Sequence, residues 1–199
     1  MNLALFDFDG TITTHETMPA FMRRAVTPLR RALGVPVFAP MLAGYRMGLV
    51  SGTAIRNAVT MFGFRGVPAA RVHAAGERFA AEYLAGVLRP EAMQRIAWHQ
   101  ARGDTVVLVS GGLDAYLAPW CRQHGLDLIC STLETRDDRL TGRYRGAQCV
   151  GEEKARRVRE RYELAAYDLC HAYGDTHEDD AMLALAQRRY FKGREIEAA

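Results

Sequence analysis

Four apolar residues near the start of the chain, Leu3-Ala4-Leu5-Phe6, run directly into Asp7-Phe8-Asp9-Gly10-Thr11. A short apolar run closed by turn residues predicts a strand buried on both faces, and such strands belong to parallel sheets. Two carboxylates at its tip are costly to bury unless the site uses their charge. The arrangement recurs downstream. Residues 105–109 (TVVLV) lead into Ser110-Gly111-Gly112. Residues 168–173 predict a strand that leads into Gly174-Asp175-Thr176-His177-Glu178-Asp179-Asp180. Further strands are expected over 126–130 and 189–191. Helices are expected over 91–101, over 114–124 with Asp114 as N-cap, over 152–162 and over 178–187. Strands alternating with helices specify a parallel sheet with right-handed crossovers. Ligands of such sheets bind beyond the carboxyl ends of the strands.

Between the first strand and residue 91 the pattern changes. Residues 17–31 predict a helix. Residues 33–86 then alternate helical stretches with breaks at Gly34, Pro36, Pro40, Gly52, Gly63, Gly66 and Pro68. This stretch reads as a helical insert over 15–86 in a core made of 1–14 and 87–199. A chain of 199 residues accommodates one compact domain with such an insert. Residues 33–45 (LGVPVFAPMLAGY) are apolar and uncharged, but fall short of the roughly 20 residues of a membrane span. A buried or interfacial segment of the insert is expected in preference to membrane contact. Residues 132–144 alternate as a hairpin around Asp137-Asp138.

The formal charge of +3 is small, and no Lys/Arg run is interleaved with aromatics. Nucleic acid is therefore not an expected partner, whereas a weakly basic surface suits phosphorylated anions. Cys121, Cys130, Cys149 and Cys170 are widely spaced and form no Cys-x-x-Cys pair. This argues against a zinc ribbon and a disulfide framework, and predicts free thiols in a reducing cytoplasm. No basic region followed by an apolar stretch and a cleavage site opens the chain, so no signal peptide is expected.

Asp7, Asp9 and Asp175 offer hard oxygen ligands without histidine or thiolate, which suits Mg²⁺. Ser110 and the backbone N–H groups that follow it suit a phosphate oxygen at a helix N-terminus. Lys154, the only lysine besides Lys192, is a compact cation for another phosphate oxygen. Such a set neutralises a transferring phosphoryl group. A carboxylate can also act as nucleophile, and a second one can shuttle the proton. An EF-hand loop starting at Asp7 is excluded, because it would place Gly10 at position 4 and Met18 at position 12.

Taken in order, DFDGT, VLVSGG, Lys154 and GDTHEDD resemble the four motifs of haloacid dehalogenase-superfamily phosphatases. Within that superfamily they resemble the phosphoserine phosphatase-like branch, subfamily IB. The resemblance covers most of the chain outside about 30–90, and the DDRLTGRYRG hairpin shares it. It implies an α/β fold, a Rossmann-like parallel sheet flanked by helices, with an inserted helical cap of C1 type. It implies Asp7 as nucleophile and Asp9 as acid/base. Mg²⁺ would be held by the Asp7 carboxylate, the Asp9 backbone carbonyl and Asp175, with Asp179 a ligand or an orienting partner. Ser110, Gly111 and Lys154 would bind the phosphate. Glu16 matches a glutamate that holds a substrate amino group, and Arg56 a cap arginine that binds a carboxylate. The implied reaction is hydrolysis of a small phosphorylated metabolite, phosphoserine-like in the first instance. Histidinol phosphate, phosphocholine and a lipid head-group phosphate such as phosphatidylglycerophosphate are alternatives. Phosphoryl transfer to another acceptor and a non-catalytic binding role also remain open.

Overall fold

The computed structural model describes residues 1–197. The chain opens with β1 (Leu3–Phe6) and continues through four helices, α1 (Met18–Ala25), α2 (Pro28–Arg46), α3 (Gly52–Phe64) and α4 (Ala69–Glu82). Next come α5 (Pro90–Ala101), β2 (Thr105–Leu113), α6 (Asp114–His124) and β3 (Asp127–Ser131). A hairpin follows, β4 (Leu133–Arg136) and β5 (Arg139–Tyr144). The chain then runs through α7 (Glu152–Arg161), β6 (Cys170–Gly174), α8 (Asp180–Leu183), β7 (Arg188–Phe191) and β8 (Arg194–Ile196).

Six strands form one sheet in the order β3-β2-β1-β6-β7-β8, parallel throughout except for the antiparallel β8. β1 lies between β2 and β6, so three strand ends converge at its tip. Its residues alternate between two cores, as a strand's period of two requires. Ala4 and Phe6 pack with α1, α4, α5 and α6, while Leu3 and Leu5 pack with α7 and α8. All four cysteines are free and buried, Cys121 and Cys130 in the first core and Cys149 and Cys170 in the second.

The expected helix over 17–31 is two helices. Thr27 precedes Pro28 and is held extended at ψ 147°, as a pre-proline residue prefers. Its hydroxyl then caps α2 by accepting from the Arg30 N–H at 3.4 Å. Conversely, the expected breaks at Gly34, Pro36 and Pro40 do not occur, and α2 runs through all three. Each proline removes one helical hydrogen bond. Both are exposed on α2, so water can satisfy the released carbonyls. Asp114 is the first residue of α6 rather than its cap, which is Leu113. The expected helix over 178–187 is a 3₁₀ turn at His177–Asp179 followed by the short α8. The chain is drawn back to the sheet there by the Gln187 N–H bond to the Cys170 carbonyl. β8 adds an edge strand beyond the expected set.

The hairpin turns at Asp137 and Asp138, both at positive φ, the geometry of a tight two-residue turn. It stands apart from the main sheet and docks on the helices between β1 and α5. The Gly66 N–H bonds to the Leu140 carbonyl at 2.8 Å and the Ala69 N–H to the Asp138 carbonyl at 2.9 Å. From the other side α4 crosses α6 so closely that a Cβ on Gly76 would lie 1.9 Å from the Ala115 carbonyl oxygen.

Candidate active site

The backbone leaves β1 at Phe6 and presents Asp7, which is buried. Lys154, in the first turn of α7, reaches it from the neighbouring layer. Its ammonium lies 2.5 Å from Asp7 Oδ1 and 2.6 Å from Asp179 Oδ1, and its side chain is only 2% exposed. Burial works against the charged ammonium, yet Asp7 and Asp179 more than offset it and raise the Lys154 pKa. Burial pushes the Asp7 carboxyl up to about 8, against the pull of Lys154 and with the push of Asp179. Asp175, just past β6, is half-buried, and burial followed by Asp179 raises its pKa too.

Asp179 is the organiser of the β6 end. Its Oδ2 accepts the N–H groups of Asp175 at 3.0 Å and Thr176 at 3.1 Å, while its Oδ1 accepts from Lys154. Gly10 turns at φ +80°, and a Cβ there would lie 2.1 Å from Asp175 Oδ2. Only glycine fits this turn, which brings the backbone after Asp9 against Asp175.

Carboxylate oxygens of Asp7, Asp175 and Asp179 all lie within 4.8 Å of one another. Among the described residues Lys154 is the only cation paired with this buried acidic group. The excess negative charge and the all-oxygen donor set fit a hard divalent cation such as Mg²⁺.

Asp9 faces the same cavity from a different setting. Its Oδ1 accepts the Thr17 N–H at 2.7 Å and the Thr17 hydroxyl at 2.6 Å. Its other oxygen has no hydrogen-bond partner among the described residues. Burial raises its carboxyl to about 6, and the two Thr17 bonds lower it. Two acids alike in sequence thus differ: Asp7 pairs with an ammonium, Asp9 with a helix start. Ser110 is buried at the bulged end of β2, where its hydroxyl accepts the Gly112 N–H at 3.0 Å.

All nine residues singled out in the sequence border one cavity of about 770 Å³: Asp7, Asp9, Glu16, Arg56, Ser110, Gly111, Lys154, Asp175 and Asp179. Glu16 is exposed at its mouth. Arg56 is already engaged. One guanidinium nitrogen lies 2.7 Å from Glu178 Oε1, and Nε donates to Gln148 Oε1 at 2.8 Å. Gln148 in turn donates to Asn57 and to the Thr53 carbonyl. Away from the acids the cavity wall is apolar, built by Val35, Phe38 and Leu42 of α2 and by Ile55, Val59 and Phe62 of α3. Thr17 and Gln148 carry no sequence signal of their own. Thr11, whose hydroxyl reaches Asp175 Oδ1 at 3.3 Å, was visible only as the last letter of DFDGT.

The family model of haloacid dehalogenase-like hydrolases matches residues 4–184. Over 197 residues the chain is 34% identical to Protein CicA of Caulobacter vibrioides, covering 96% of this chain and 87% of that one. Among solved structures, a protein with unknown function from Bordetella pertussis Tohama I superposes with a TM-score of 0.80 at 23% identity, covering 94% of this chain and 88% of that one. A phospho-aspartyl intermediate analogue of phosphoserine phosphatase superposes with a TM-score of 0.66 at 24% identity, covering 96% and 87%. The two structural likenesses concern the fold.

Proposed function

The chain belongs to the haloacid dehalogenase-like hydrolase family, and from that membership we propose that it is a Mg²⁺-dependent phosphomonoester hydrolase working through an aspartyl-phosphate on Asp7. The observation that carries the reading is the buried Asp7–Lys154–Asp179 chain beside Asp175. A structural role alone does not require so many desolvated charges at one strand end.

The residues divide the work as follows. An Asp7 oxygen attacks phosphorus and the ester P–O bond breaks. Asp9, with one oxygen fixed by Thr17 and the other free, gives its proton to the leaving oxygen. It then takes a proton from water, whose oxygen attacks the same phosphorus and releases Asp7 and inorganic phosphate. Lys154, the Ser110 hydroxyl and the Gly111 N–H face the phosphoryl oxygens and offset their charge. Asp7, the Asp9 carbonyl and Asp175, with Asp179 behind them, would hold Mg²⁺, which would supply further charge neutralisation. The helices over 15–86 serve as the cap that bounds the leaving-group side.

Two readings of the leaving group divide the cavity. A phosphoserine-like substrate is supported by Glu16 at the mouth for an amino group and by Arg56 for a carboxylate. An apolar leaving group is supported by the α2 and α3 walls. Arg56 is already paired with Glu178, which shifts the balance toward the second reading. The cytoplasm remains the proposed location of the reaction.

The test is phosphate release from p-nitrophenyl phosphate and a panel holding phosphoserine, histidinol phosphate, phosphocholine and a lipid phosphate, with Mg²⁺ and after EDTA. Mg²⁺-dependent release is expected, and its absence across the panel overturns the proposal. Candidate alcohols added to the same assay separate the alternatives, because phosphorylated alcohol in place of free phosphate identifies a transferase. A protein whose melting is unmoved by Mg²⁺ with beryllofluoride, and which releases no phosphate, is a binding protein on a hydrolase fold.

A further inference from the structure

The helix α2 is apolar around most of its circumference, yet only Gly34 and Gly44 along it are buried. A helix of that composition is ordinarily enclosed by protein or lipid. Here it leans chiefly on α3, with Phe38 against Phe62 and the Arg30 guanidinium donating to the carbonyls of Gly63 and Arg65, while Arg31 donates to the Arg23 carbonyl of α1. Its outer side shows Leu29, Leu33 and Val37 at 71, 56 and 59% exposure, and Met47 and Leu49 continue the patch at 66 and 77%. With Val35, Leu42 and Tyr45 of the same helix they are eight of the thirteen large apolar side chains exposed in the described molecule.

Charge identifies what covers the patch. No acidic residue occurs between Glu16 and Glu77, while Arg30, Arg31 and Arg46 lie on α2 itself and Arg23 and Arg24 on α1 before it, all but Arg30 exposed. None of these five forms an ion pair among the described residues. A second copy would meet the same segment of uncompensated positive charge, which disfavours self-association. Among the described residues no helix is long and apolar enough to cross a membrane. An apolar helix that carries arginines and no acidic residue, yet is not apolar enough to span, suits the boundary between headgroups and acyl chains of an anionic bilayer.

We propose that α2 and the Met47–Leu49 turn seat the protein on the surface of an anionic lipid bilayer. The cavity is walled by the opposite side of α2. The face is independent of the hydrolase reading, so each can fail alone.

The experiment is flotation of the full chain with phosphatidylcholine vesicles, with and without phosphatidylglycerol, run beside p-nitrophenyl phosphate hydrolysis. Leu33→Glu/Val37→Glu is the test variant, because neither residue borders the cavity. The bound fraction should rise about tenfold or more with phosphatidylglycerol and fall with salt. The variant should lose that binding while p-nitrophenyl phosphate turnover stays unchanged. Equal recovery with both vesicle types, no flotation with either, or undiminished binding by the variant overturns the proposal. So does a concentration-dependent dimer in sedimentation that the variant abolishes, since a second copy would then cover the patch. Lack of p-nitrophenyl phosphate turnover with intact flotation counts against the hydrolase reading and leaves this one supported.

Discussion

Lys154 sits between Asp7 and Asp179 with no water-exposed side, so the reacting end of the cavity is a fixed charge pattern rather than a mobile one. This makes substitutions there readable. Asp7→Asn keeps the shape and removes a carboxyl that burial already disfavours in its charged form. It should lower kcat by at least about a thousandfold while the circular dichroism spectrum and melting temperature hold or improve. Wild-type kcat would mean that Asp7 is not the nucleophile. Gly10→Ala should act differently. The new Cβ meets Asp175 and the φ is left-handed, a conformation that costs about 1–2 kcal/mol for an ordinary residue. The Mg²⁺ concentration for half-maximal turnover should rise about tenfold or more, and an unchanged value would show that Asp175 need not stay close to that turn. The acids, the serine and the lysine were legible because each follows a strand or opens a helix in a recognisable string. Thr17 and Gln148 were not, because an ordinary threonine or glutamine declares its role only once folding brings it against Asp9 or Arg56.

The helices between β1 and α5 are fixed to the sheet layer by one very close crossing. Gly76 of α4 lies against the Ala115 carbonyl of α6, where a methyl group cannot be accommodated without parting the two helices. Gly76→Ala should therefore destabilise the protein by about 1–3 kcal/mol, measured by urea unfolding. A change within experimental error would mean that the helices shift freely. Within α2, Pro36→Ala/Pro40→Ala restores two helical hydrogen bonds on the water-facing side. Amide exchange over 38–44 should slow by about tenfold or more, and unchanged exchange would show that the prolines do not limit that helix. The same prolines explain why α2 was unreadable as one element. Local breakers predicted three stops, but Gly34 faces inward and the two prolines are exposed. The pre-proline restriction at Thr27 worked in the opposite sense and split a helix that periodicity had joined. The central strands were legible because their apolar runs are short and bounded.

At the far end of β6 from the acids, His171 is buried with neither ring nitrogen hydrogen-bonded. His99 and Trp98 of α5, Tyr190 of β7 and the charges of Asp104, Arg95 and Arg188 surround it. Burial, then His99, holds its pKa down to about 4, from an ordinary 6.5. The unfolded chain therefore binds the proton more readily. Stability is complete above the unfolded value and is lost as the pH falls from about 6.5 toward 4, by on the order of 2 kcal/mol. His99, also depressed by burial, adds a slope of the same sign. His171→Phe should flatten the loss of stability between those pH values in chemical unfolding without abolishing it, and an unaltered slope would place the titration elsewhere. A parallel sheet was legible from the alternation of elements. The strand order, the antiparallel β8 and the docking of the hairpin on α3 and α4 were not, since these are pairings between segments far apart in the chain.

The four thiols lend themselves to one more use. Burial raises Cys121 and Cys170 to about 12 and Cys149 to about 11, and lifts Cys130 well above its ordinary value, so none offers thiolate to an alkylating reagent while the fold is closed. Two lie on each side of the sheet. Pulsed iodoacetamide labelling read by peptide mass spectrometry would therefore act as a clock with two dials, timing separately when each layer first opens to solvent.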